Sequence, residues 1–121
     1  MTKILVIDDS SMMRMLLRDY LESAGYEVED WLPMSAMEIP DRIRESKPDL
    51  VLTDFVMPGV NGLSVAQMTQ RTDPAIPVIV LTAQRDPDTE AKLHKFGVKR
   101  ILHKPIKQET LVTAVKEVLG T

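Results

Sequence analysis

The sequence predicts an α/β fold, a parallel sheet of five strands with helices packed on both faces. Three observations carry this. Five short runs rich in Val, Ile and Leu, "KILVID" (3–8), "EVEDW" (27–31), "DLVLTD" (49–54), "VIVLT" (78–82) and "RILHK" (100–104), recur at about the length of one strand plus one crossover helix. Three of the runs are nearly continuous apolar stretches, as strands covered on both faces should be, whereas alternation would signal one wet face. The segments between them carry helical rather than alternating spacing.

Taken in order, the first strand stops abruptly on two acids, Asp8 and Asp9. The helix after it places Met13, Leu16, Leu17, Tyr20 and Leu21 on one stripe, with Ser10 or Ser11 as N-cap and Gly25 just past its end. The second connection holds Pro33 and Pro40. Pro33 suits a helix start, but Pro40 in a helix interior costs about 3 kcal/mol, so this helix should kink or begin again near Pro40. "NGLSVAQMTQR" and "DPDTEAKLHKFG" predict two shorter helices, the latter with Asp86 as cap, Pro87 in the first turn and Gly97 as stop. The last helix repeats the apolar stripe through Leu111, Val112, Val115, Val118 and Leu119.

At 121 residues the chain is the size of one ordinary domain, able to bury a core without staples. It has no cysteine, which removes disulfides, thiolate metal sites and cysteine nucleophiles and is compatible with a reducing cytoplasm. The early acids in "MTKILVIDD" do not suit a signal peptide, and no apolar stretch approaches the roughly 20 residues that span a bilayer, so a soluble, cytoplasmic protein without a membrane role is expected. A net charge of −3 offers no global footprint for nucleic acid, and no such partner is expected.

In an open parallel sheet, ligands sit beyond the carboxyl ends of the strands. The residues there are Asp8 and Asp9, Asp54, Thr82, and Lys104 with Pro105. Two unit charges 4 Å apart repel by roughly 4 kcal/mol at an effective dielectric of about 20, so converging carboxylates call for a cation. Oxygen-only ligands with room for water suit Mg²⁺. With such an ion in place the group fits phosphoryl chemistry on a carboxylate: one Asp attacks phosphorus, Lys104 adds a point charge and Thr82 a hydrogen bond. No residue of the group is an obvious strong general base, which suits a persistent acyl phosphate better than rapid turnover.

The acidic pair in "LVIDDSS", the segment "LVLTDFVMPGVNGL", the hydroxyl in "VIVLTA" and the "KP" of "LHKPI", in this order, resemble a response-regulator receiver domain across essentially all of residues 1–121. The resemblance implies a single receiver domain with no attached output domain in this chain, and a flavodoxin-like, doubly wound sheet of order 2-1-3-4-5 with five helices. That order is a documented one for the family. It implies that Asp54 accepts a phosphoryl group from a phosphohistidine on a histidine kinase or histidine phosphotransfer protein. It further implies that Mg²⁺ is bound by Asp9, Asp54 and the backbone carbonyl of Val56, with Asp8 acting through water. Thr82 and Lys104 would touch the phosphoryl oxygens, and the Lys104–Pro105 bond would be cis, which an X-Pro bond adopts at a cost of about 1 kcal/mol. The module would signal rather than turn over substrate, and an unidentified downstream protein would read it at the face made by the fourth helix, fifth strand and fifth helix.

The chain departs from the family pattern at Ile101, where an aromatic commonly stands three residues before the lysine, so the switch here would run through aliphatic repacking. The resemblance makes Val56 and Gln84 the positions that tune phosphoryl lifetime; Val56 cannot orient an attacking water, though Gln84 can, and a moderately long-lived phosphoryl group is expected. Met12 and Met15 flank the predicted site as candidates for docking a phosphodonor, while Met13 falls on the core stripe. His94 and His103 lack the companions of a metal site and read as surface residues, His103 sharing a strand face with Ile101. Two other functions compete with this one. An aspartate-nucleophile phosphatase of the dehalogenase type needs a D-x-D pattern that neither "DDS" nor "DFVMP" supplies, and a degenerate scaffold receiver would not need the intact acids, threonine and lysine.

Overall fold

The computed structural model describes residues 1–120. Five parallel strands form the sheet: β1 (Lys3–Ile7), β2 (Glu27–Trp31), β3 (Leu50–Asp54), β4 (Val78–Thr82) and β5 (Val98–His103). Their order across the sheet is 2-1-3-4-5, the flavodoxin-like arrangement expected. Helices α1 (Ser11–Glu22), α2 (Ile39–Ser46), α3 (Gly62–Thr72), α4 (Pro87–Lys95) and α5 (Gln108–Leu119) follow the strands in turn. No helix of the described residues is long and apolar enough to cross a membrane.

Alternate strand residues feed two separate cores. Ile4, Val6, Leu50, Leu52, Ile79 and Leu81 pack with Leu17 and Leu21 of α1 and Leu111 and Val115 of α5. Leu5, Ile7, Val51, Val78 and Val80 pack with Ile39 and Ile43 of α2, Val65 of α3 and Leu93 of α4. Both faces of β3 and β4 are buried at every position, which is why their sequences read as unbroken apolar runs.

Ser10 caps α1, its side chain accepting from the Met13 amide, and Gly25 (φ +95°) turns the chain toward β2. Met13 packs on the core as expected, but Leu16 is 37% exposed at the edge of the α1 stripe rather than on it. The second connection corrects the expectation at Pro33: no helix starts there. A 3₁₀ turn over Ala36–Glu38 starts instead, from Ser35, which forms a reciprocal capping box with Glu38. α2 then begins at Ile39 with Pro40 in its first turn, the restart that Pro40 demands. β5 begins two residues earlier than its apolar run, at Val98.

One element has no counterpart in the sequence pattern. Val56–Met57 and Val60–Asn61 pair as a minimal antiparallel hairpin between β3 and α3. Pro58 followed by Gly59 (φ +76°) is the residue pattern of a type II turn. Met57 and Val60 point into the second core, which anchors the loop that follows Asp54.

Candidate functional site

β1 and β3 are neighbours whose following helices lie on opposite faces of the sheet, so a crevice opens at their carboxyl ends. Asp8, Asp9 and Asp54 meet there. Each offers a carboxylate oxygen, and the three oxygens lie within 4.8 Å of one another.

Each acid is held differently. Asp8 is fully buried, and its Oδ1 accepts from the Ser10 amide at 2.8 Å. Its Oδ2 is buried without a hydrogen-bond partner, 3.6 Å from the Lys104 ammonium. Asp54 is 7% exposed and lies 3.1 Å from Lys104 through Oδ1. Asp9 faces solvent. Burial pushes the Asp54 carboxyl above the ordinary carboxylate range and the Asp8 charge pushes it further, while the hydrogen bond and charge of Lys104 pull the other way.

Lys104 is tied across the sheet by its amide, which donates to the Thr82 carbonyl at 2.8 Å, and the Lys104–Pro105 peptide is cis, as expected. Thr82 ends β4 beside β3 and is 5% exposed, with its hydroxyl oxygen accepting from the Gln84 amide at 3.1 Å. Val56 stands two residues beyond Asp54 at the start of the hairpin, 58% exposed. Ile101 is partly buried against the second core. Asp8, Asp9, Asp54, Thr82 and Lys104 therefore lie along one rim of the sheet, whereas Ile101 sits back from it, paired with Val80.

The donor set suits a hard divalent cation. It is all oxygen, it is open to solvent through Asp9, and it contains an orphaned buried oxygen on Asp8 that has no protein donor to satisfy it. A groove lined by Ile43, Lys47, Thr72 and Ile76 lies at the amino ends of β3 and β4 and holds none of these residues.

Three features of the site escaped sequence reasoning. Gly62 opens α3 so close to the loop after β3 that a Cβ there would meet the Phe55 Cα at 3.0 Å and the Asp54 carbonyl at 3.2 Å. Its only sequence signal is the Asn-Gly pair before a helix. Arg14 donates from Nη1 to the Asp8 carbonyl at 2.6 Å. His103 is partly buried rather than freely solvated: its Nε2 lies 3.3 Å from the Glu90 carboxylate, which ties β5 to α4. His94 is exposed, with its Nδ1 at 2.9 Å from the Val98 carbonyl.

The sequence matches the response regulator receiver domain over residues 4–116. The chain belongs to that family. This receiver is 32% identical over 116 residues to the chemotaxis protein CheY of Thermotoga maritima, covering 96% of each chain. It is 31% identical over 119 residues to the polar-differentiation response regulator DivK of Brucella anthropi, covering 97% of this chain and 95% of that one. Among solved structures, the chemotaxis protein CheY4 of Vibrio cholerae superposes with a TM-score of 0.87 at 27% identity over 98% of both chains. A receiver domain from Clostridium thermocellum gives 0.87 at 30% identity, over 99% of this chain and 95% of that one. The receiver is thus a two-component signalling domain with the family's acidic pocket.

Proposed function

We propose that this receiver is a phosphorylation-controlled interaction module in which Asp54 is the phosphoacceptor. The single observation that supports it most is the Lys104 ammonium at 3.1 Å from Asp54, beside a cluster of three carboxylates. Asp9, Asp54 and the backbone carbonyl of Val56 would hold Mg²⁺, with Asp8 acting through water. When bound, the ion neutralises carboxylate charge and the charge that develops on the phosphoryl oxygens.

An Asp54 carboxylate oxygen attacks the phosphorus of a phosphohistidine on a histidine kinase or phosphotransfer protein; the P–N bond breaks and the leaving imidazole nitrogen takes up a proton. Lys104 and Thr82 contact the transferred oxygens. Met12 and Met15 are 78% and 72% exposed on the first turns of α1, and both lie where an incoming phosphodonor docks.

Phosphorylation biases an existing conformational equilibrium, and a downstream protein that prefers one state reads it on the face made by α4, β5 and α5. With Ile101 in place of an aromatic, inward movement of Thr82 is followed by aliphatic repacking. Val56 gives no hydrogen bond to an attacking water, so the acyl phosphate outlasts a few seconds without a phosphatase.

Acetyl phosphate with Mg²⁺ tests the chemistry. Intact mass is expected to show a gain of one phosphoryl group on the wild type and none on Asp54→Asn. Equal labelling of both proteins would remove Asp54 from the role.

A further inference from the structure

Asp9 is the one acid of the pocket that the protein leaves to itself. Among the described residues no hydrogen bond or ion pair holds its carboxylate, whereas Asp8 is fixed by Ser10 and Lys104 and Asp54 by Lys104. Its direction is therefore set by its backbone, and above all by the peptide that joins it to Asp8.

That peptide has a clamp. Arg14, one turn into α1, donates from Nη1 to the Asp8 carbonyl oxygen at 2.6 Å and from Nε to Asp30 Oδ2 at 3.3 Å, with its side chain only 19% exposed. Asp30, near the end of β2, is in turn gripped by Arg18, whose Nε lies 3.2 Å from Oδ1. The Arg18 hydrogen bond holds the Asp30 carboxyl below the ordinary carboxylate range, against the opposing effect of burial, and the Arg14 charge adds to it. An unpaired guanidinium this close to the acids would oppose a divalent cation. Paired to Asp30, it contributes direction with little net charge.

We propose that Arg14, braced by Asp30, is a positioning residue for the metal site: it fixes the plane of the Asp8–Asp9 peptide and so aims the Asp9 carboxylate at the cation. The inference rests on the Mg²⁺ reading given above. A lysine cannot replace it, because one ammonium does not span the Asp8 carbonyl and Asp30 with the fixed fork of a guanidinium.

The sign of the effect separates positioning from charge. Titration calorimetry with MgCl₂ on Arg14→Met is expected to show a Kd about ten-fold weaker than wild type, although removal of a cation by itself would tighten binding. Arg18→Met removes the same charge from the same carboxylate without touching the Asp8 carbonyl, and is expected to bind within about two-fold of wild type or more tightly. In the metal-free proteins, the Asp9 and Ser10 amide resonances move in Arg14→Met and stay in place in Arg18→Met. If Arg14→Met does not fold, Arg14→Lys decides the matter, with an expected loss of about three-fold or more. Mg²⁺ binding by Arg14→Met or by a folded Arg14→Lys as tight as wild type overturns the inference and leaves the phosphoacceptor reading standing. A wild type that does not bind millimolar Mg²⁺ overturns both.

Discussion

The Asp54 carboxyl is buried, faces the Asp8 charge and is offset only in part by Lys104, so its proton is held more tightly in the folded protein than in the unfolded chain. The stability tied to this group is complete below the unfolded carboxylate pKa, near pH 4, and is lost as pH rises through the elevated folded value. At neutral pH and without metal, the wild type therefore carries a penalty that an amide does not. Asp54→Asn is expected to be more stable than wild type by about 1 kcal/mol at pH 7, with the gap closing toward pH 4 and narrowing when Mg²⁺ is added. Thermal unfolding across pH, with and without the ion, checks this, and a gap that widens on acidification would contradict it. The acids, threonine and lysine were legible from the sequence because each falls at a strand end, where position alone places a side chain at the rim. Arg14, Asp30 and the His103–Glu90 contact were not, because their partners lie 6 to 16 residues away along the chain and meet only once the layers have packed.

The loop after β3 is pinned from two sides, by Met57 and Val60 in the second core and by the N-terminus of α3 at Gly62. The Gly62 amide donates to the Phe55 carbonyl at 2.8 Å, and a methyl group there would fit only if Phe55 and the Asp54 carbonyl gave way by a few tenths of an ångström. Gly62→Ala is expected to cost about 1–2 kcal/mol in chemical denaturation and to slow labelling of Asp54 by acetyl phosphate, because the atoms that must yield belong to the acceptor loop. α4 is attached more lightly, by Leu93 beneath and by the His94–Val98 and His103–Glu90 contacts at its sides. Adding the phosphoryl mimic beryllofluoride should therefore move the amide resonances of Glu90, Leu93, Ile101 and His103; stationary signals there would mean that Ile101 does not relay the change. The longer elements were readable because two-sided burial leaves unbroken apolar runs. The hairpin was not, since two-residue strands have no period to detect. β5 began before its apolar run because Lys99, left unpaired where the register shifts between Val78 and Ile79, separates Val98 from the rest of this edge strand.

At the scale of the molecule, the sheet divides the interior into a core under α1 and α5 and another under α2, α3 and α4, so α4, on the proposed reading face, shares its core with the hairpin that follows Asp54. The Arg14–Asp30–Arg18 cluster ties α1 to the edge strand β2 on the other side. Because Asp30 titrates below its ordinary range when folded, the stability it supplies is present above about pH 4 and is lost as pH falls through the depressed value. Asp30→Asn is accordingly expected to be less stable than wild type at pH 7 and to converge with it in strong acid, as acid titrations followed by circular dichroism will show. The charge inventory of the rim has a last consequence. Three anions against one ammonium leave a surplus of two, a debt that a single divalent ion closes and a monovalent one does not. Under the proposed chemistry the unclosed cleft would repel a phosphorylated donor, so the ion is expected to arrive first and the donor second.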